Sequence, residues 1–73
     1  MTRQEAMCKL LVHGALPAGD ARSICGWPAG EAEMVLRQLA FDGMARHVAY
    51  TGGRVSVYRL TAKGAEKARR VSA

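Results

Sequence analysis

The spacing of apolar positions changes period along the chain, and each change marks a predicted element. Over residues 2–13, Met7, Leu10 and Leu11 recur at helical spacing, with Cys8 and Val12 widening the stripe and Arg3, Gln4, Glu5 and Lys9 facing solvent. Thr2 can cap the start, with Glu5 three residues on as its reciprocal partner, and Gly14 can terminate the end. Pro17 pushes the preceding residue out of the helical region, so Ala15-Leu16-Pro17 reads as extended. A second helix is expected over 18–25, with Ala21, Ile24 and Cys25 as its buried face and Gly26 as its stop.

Gly26-Trp27-Pro28-Ala29 reads as a turn, with Trp27 buried between two helices. Pro28 and Ala29 open a third helix, because proline is tolerated in a first turn, and its body runs from Glu31 to Asp42. Ala32, Val35, Leu36 and Leu39 form its inward stripe, and Phe41 is expected to be partly buried against a hairpin beyond Gly43. Gly43 supplies a left-handed terminus. From Met44 the period falls to two: Met44 to Tyr50 and Arg54 to Leu60 read as strands around a two-residue Gly52-Gly53 turn. That register sets Tyr50 against Val55, Val48 against Val57 and His47 against Tyr58, and turns Tyr58 and Leu60 toward the helices. Thr61 caps a last helix, Ala62 to about Arg70, whose apolar face is only Ala65, Ala68 and Val71 and whose end should fray.

Charge sharpens this picture. The net +5 is unevenly spread: Arg3, Lys9 and Arg22 against Glu5 and Asp20 leave +1 over residues 1–27. Arg37 against Glu31, Glu33 and Asp42 leaves −2 over 28–43, and seven cations against Glu66 leave +6 over 44–73. A positive field concentrated in one half points to a polyanion, nucleic acid first. A length of 73 residues allows one domain with a thin core, and 49% hydrophobic residues set it apart from a disordered tail. No apolar run approaches the roughly 18 residues of a membrane span. The first residues lack the order of a signal peptide, so the cytoplasm is the expected compartment.

Little points to catalysis. His13 and His47 lie on separate elements without clustered carboxylates or cysteines, and no glycine-rich phosphate loop follows a strand. Cys8 and Cys25 read as small buried hydrophobes, and neither a metal site nor a cofactor is expected.

Gly26, Leu39, Gly43-Met44 and the ending Leu60-Thr61-Ala62-Lys63-Gly64 stand in an order and spacing that resemble the winged helix-turn-helix superfamily. The closest resemblance is to MarR-type and related small bacterial or phage regulators, over roughly residues 16–66. It implies an α+β fold of helix 1, short strand, helix 2, turn, helix 3, two-stranded wing and C-terminal helix. It implies a DNA-binding transcriptional regulator that lays helix 3 in the major groove and the wing against the backbone or minor groove. By position the groove-facing residues would be Gly30, Glu31, Glu33, Met34, Arg37 and Gln38, and the wing tip Thr51, Gly52, Gly53 and Arg54.

The chemistry of these residues fits double-stranded DNA in part. Arg37 can read guanine and Gln38 adenine, each as a bidentate pair. Gly30 lets the helix start approach a phosphate, and Arg54 at the glycine-flanked tip can enter a minor groove. Arg22, Arg46, Arg59 and Lys63 can neutralise phosphates. Glu31 and Glu33 oppose this, since carboxylates at a helix start also serve the helix dipole and repel a polyanion. The alternative is a protein-interaction module, a small inhibitor or accessory subunit that docks through Glu31, Glu33, Met34 and Arg37. The MarR-type dimer helices have no room here, so a homodimer through the first or last helix and a monomer both stay open.

Overall fold

A computed structural model of the chain describes residues 2–28, 30–49 and 56–72. The elements run α1 (Arg3–Leu11), α2 (Ala18–Cys25), α3 (Glu31–Phe41), β1 (Ala45–Ala49), β2 (Ser56–Leu60) and α4 (Ala62–Ser72). The Gly52-Gly53 turn, the Tyr50–Val55 pair and Arg54 lie outside the described residues.

Local chemistry explains the boundaries. Thr2 caps α1: its hydroxyl accepts from the Glu5 N–H at 3.1 Å while its own N–H donates to Glu5 Oε1 at 3.0 Å. Gly26, at φ +66°, ends α2 and donates its N–H to the Arg22 carbonyl. The end of α3 is a Schellman turn around Gly43 (φ +78°): Met44 N–H donates to Leu39 O at 2.8 Å and Gly43 N–H to Ala40 O at 3.2 Å. Thr61 fastens that turn to α4. Its hydroxyl donates to Gly43 O at 2.7 Å and accepts from Gly64 N–H at 3.2 Å, and its N–H donates to Met44 O at 3.0 Å.

β1 and β2 pair antiparallel in the expected register, His47 against Tyr58 and Val48 against Val57. Leu16 adds a one-residue strand to β2, its N–H donating to Tyr58 O and its carbonyl accepting from Tyr58 N–H at 2.8 Å. By the period of two, Ala45, His47, Tyr58 and Leu60 share the helix-facing side, while Arg46, Val48, Val57 and Arg59 share the other. The His47 and Tyr58 rings stack at 4.6 Å. The core joins Met7, Cys8 and Leu11 of α1 to Ala21, to Ala32, Val35, Leu36 and Leu39 of α3, and to Ala45, Tyr58 and Ala68. The alanines among these residues let the elements approach closely.

Several expectations are corrected. The helical body of α1 ends at Leu11, and Val12 is 55% exposed. Ile24 is 60% exposed because Ala21 and Cys25, one turn apart, carry the packing of a short helix; Cys25 itself is only half-buried. α3 starts at Glu31, since Gly30 takes the left-handed conformation (φ +85°) and keeps Pro28 outside the helix. Phe41 is 87% exposed. At 3.6 residues per turn it lies about 180° around the axis from Ala32, so helical geometry directs it away from the core. β1 begins at Ala45, one residue later than expected, and α4 reaches Ser72.

Candidate nucleic-acid interface

Two helices and a β-ribbon position the predicted cations. α2 and α3 pack on each other, and α3 runs through the Gly43 turn directly into β1, which it also touches. The inward stripe of α3 fixes its rotation about its own axis, so Gly30, Glu33, Met34, Arg37 and Gln38 all face solvent. Arg22 is exposed on α2. Arg46 and Arg59 are directly opposite each other on the sheet side turned away from the helices, and both are exposed. Like charges in such a pair repel, and neither strand carries an acid to offset them.

Three side chains are engaged within the protein. Lys63 Nζ donates to the Asp42 carbonyl at 2.9 Å, so its ammonium caps the C-terminus of α3. Gln38 Nε2 donates to Asp42 Oδ1 at 3.2 Å, which turns the amide along its own helix. Glu31 is bridged to Arg3 at 2.8 Å, and the Arg3 guanidinium lies 5.3 Å from the centre of the Trp27 ring. One of the two acids that opposed a polyanion is therefore neutralised from α1. Trp27, half-buried and packed against the core, supports that guanidinium. Sequence reasoning missed this cluster, because 28 positions separate Arg3 from Glu31 and no periodicity joins them. Gly53 and Arg54 lie outside the described residues.

Among the described residues no three His, Cys, Asp or Glu side chains gather as metal ligands, and no helix is long and apolar enough to cross a membrane. Burial pushes the Cys8 and Cys25 thiols up, away from the reactive thiolate. An open cleft of about 500 Å³ lies among Glu5, Met44, Lys63, Glu66, Lys67 and Arg70. Within it Arg70 and Glu66 pair at 2.9 Å, while Glu5 is bonded to Thr2 and Lys63 to the Asp42 carbonyl.

Three helices packed together, followed by a two-stranded ribbon and a closing helix, define a winged helix-turn-helix fold. The solved structures bear this out. The adhesin competence repressor AdcR from Streptococcus pyogenes superposes with a TM-score of 0.88 over 99% of this chain and 55% of that one, at 20% identity. A cysteine-to-serine variant of ZitR from Lactococcus lactis superposes at 0.85, over 94% of this chain and 48% of that one, at 18% identity. The chain thus spans about half the length of these proteins, and the likeness is one of fold. No known family's sequence profile and no curated protein matches the chain.

Proposed function

We propose that the chain is the DNA-binding module of a transcriptional regulator, of MarR-type or related bacterial or phage kind, which meets duplex DNA through α3 and its basic wing. The observation that carries this reading is the Arg46–Arg59 pair: two exposed guanidiniums held opposite each other without an acid on either strand. A row of phosphates relieves the repulsion that the fold leaves in place. Arg22 on α2 and Arg37 on α3 extend the cationic surface, and Gly30 leaves the start of α3 open to a phosphate. Arg54, which the sequence pattern puts at the turn of the ribbon, would add a minor-groove contact. Lys63 reaches a phosphate only by leaving the Asp42 carbonyl. The winged-helix neighbour from Streptococcus pyogenes is by its name a repressor, which agrees with this role. A single module discriminates weakly, since each mismatch costs about 1–3 kcal/mol, so a homodimer on paired half-sites is part of the proposal.

The test is binding to random-sequence duplexes at low salt, read by fluorescence anisotropy. With about five phosphate contacts the log–log slope of affinity against salt should lie near −4 to −5, and Arg46→Ala with Arg59→Ala should reduce it by about 0.9 for each residue. Absence of affinity above background overturns the reading. The exposed apolar side chains of α3 favour a second one, a protein-interaction module docking through Glu33, Met34 and Arg37, with Glu31 held back by Arg3. That reading expects no salt-dependent duplex binding.

A further inference from the structure

We propose that the ridge of α3 opposite the core reads thymine, with Met34 and Phe41 each seated on one thymine methyl group and Arg37 on a guanine between them. The inference rests on the proposed DNA-binding role and names the kind of sequence that the module selects. Four residues, Gly30, Met34, Arg37 and Phe41, fall within about 60° of one another on the side of α3 facing away from Ala32, Val35, Leu36 and Leu39. Met34 is 66% and Phe41 87% exposed, so neither serves the core. The C5-methyl of thymine is the apolar group that the base pairs present in the major groove, and it is what such side chains can cover there.

The spacing fits as well. Seven residues separate Met34 from Phe41, which is about 10.5 Å along the helix, while successive base pairs rise about 3.4 Å. With α3 lying along the groove the two side chains therefore meet positions about three base-pair steps apart. Arg37, about 4.5 Å beyond Met34, reaches a base between them.

Charge selects duplex DNA over an apolar protein groove as the occupant. The ridge itself carries a cation and no acid: Glu31 is bridged to Arg3, and Glu33 stands about 70° from the middle of the ridge, one turn before Arg37 at its edge. Arg22 on the neighbouring helix and the Arg46–Arg59 pair on the following ribbon keep the surroundings positive. Gln38, engaged by Asp42, is less available for an adenine, which leaves discrimination to the apolar pair and Arg37.

Replacing thymine by uracil removes only the methyl group, and this gives the test. Duplexes selected by the wild-type protein from a random pool should carry two thymines about three steps apart. Each uracil replacement should weaken binding about fourfold, the worth of one buried methyl. Met34→Ala should abolish the thymine–uracil difference at one position and Phe41→Ala at the other. Both sites are exposed, so both variants should keep the wild-type circular dichroism spectrum and thermal midpoint. Equal affinity for thymine and uracil duplexes, or selected sites without the thymine pair, overturns the inference while leaving the DNA reading standing. Failure of the wild type to bind any duplex overturns both.

Discussion

At the residue scale, Gly64 shows how one position can hold three elements together. A Cβ there would strike the Met44 carbonyl oxygen and come within 2.6 Å of Leu60 Cδ1. The first turn of α4 can thus pass over the Gly43 turn only without a side chain. Gly64→Ala should cost about 1–3 kcal/mol through overpacking, read as a lower urea midpoint with unchanged slope. Glu5 carries a pH dependence. Hydrogen bonding from the Thr2 backbone, and then from its side chain, holds the Glu5 carboxyl below the usual carboxylate range. A depressed carboxyl contributes stability in full above its unfolded pKa and loses it as pH falls through the folded one. Glu5→Gln should therefore be less stable than wild type near neutrality and converge with it on acidification, as followed by thermal melts across that range.

At the element scale, the seam between α3, the ribbon and α4 gives the Leu-x-x-x-Gly-Met and Leu-Thr-Ala-Lys-Gly pattern its physical meaning. Leu39 accepts the Schellman bond, Gly43 takes the left-handed turn, and Thr61 binds both that turn and the start of α4. Thr61→Val should remove two hydroxyl bonds and cost about 1–2 kcal/mol, most of it restored in Thr61→Ser, in chemical denaturation. The Arg46–Arg59 pair predicts the opposite sign. Arg59→Gln should raise the thermal midpoint slightly at low salt, lose that gain near 1 M salt, and weaken duplex binding. Much of this level was legible in the chain: caps, turns and strand register arise from local patterns that obey one period. Phe41 and Ile24 depart from expectation because angular position on a helix, and not hydrophobicity, decides which side chains meet the core. The Arg3–Glu31–Trp27 cluster had no local signal at all, since only tertiary packing brings its parts together.

At the scale of the whole molecule, stability rests on few side chains. A 73-residue domain is expected to hold roughly 4–11 kcal/mol in all. Leu36 is fully buried, and Leu36→Ala should remove about 2–5 kcal/mol of that, enough to populate unfolded chains measurably in a urea titration. The candidate interface was legible as a list of cations around one helix, because charge and spacing are written in the chain. Which of them are committed elsewhere was only partly legible: the Gln38–Asp42 bond follows the four-residue spacing of one helix, but Lys63 meets the end of α3 only once the fold has formed.

The bond from Thr61 to Gly43 makes the foot of the ribbon and the tail of α3 one joint. Neither can be re-aimed without dragging the other. On the proposed DNA-binding reading, such a joint works as a fixed calliper, with the span between α3 and the foot of the ribbon set before a duplex is met. Bent, widened or overtwisted targets should therefore be refused on shape alone, even where their bases are the favoured ones.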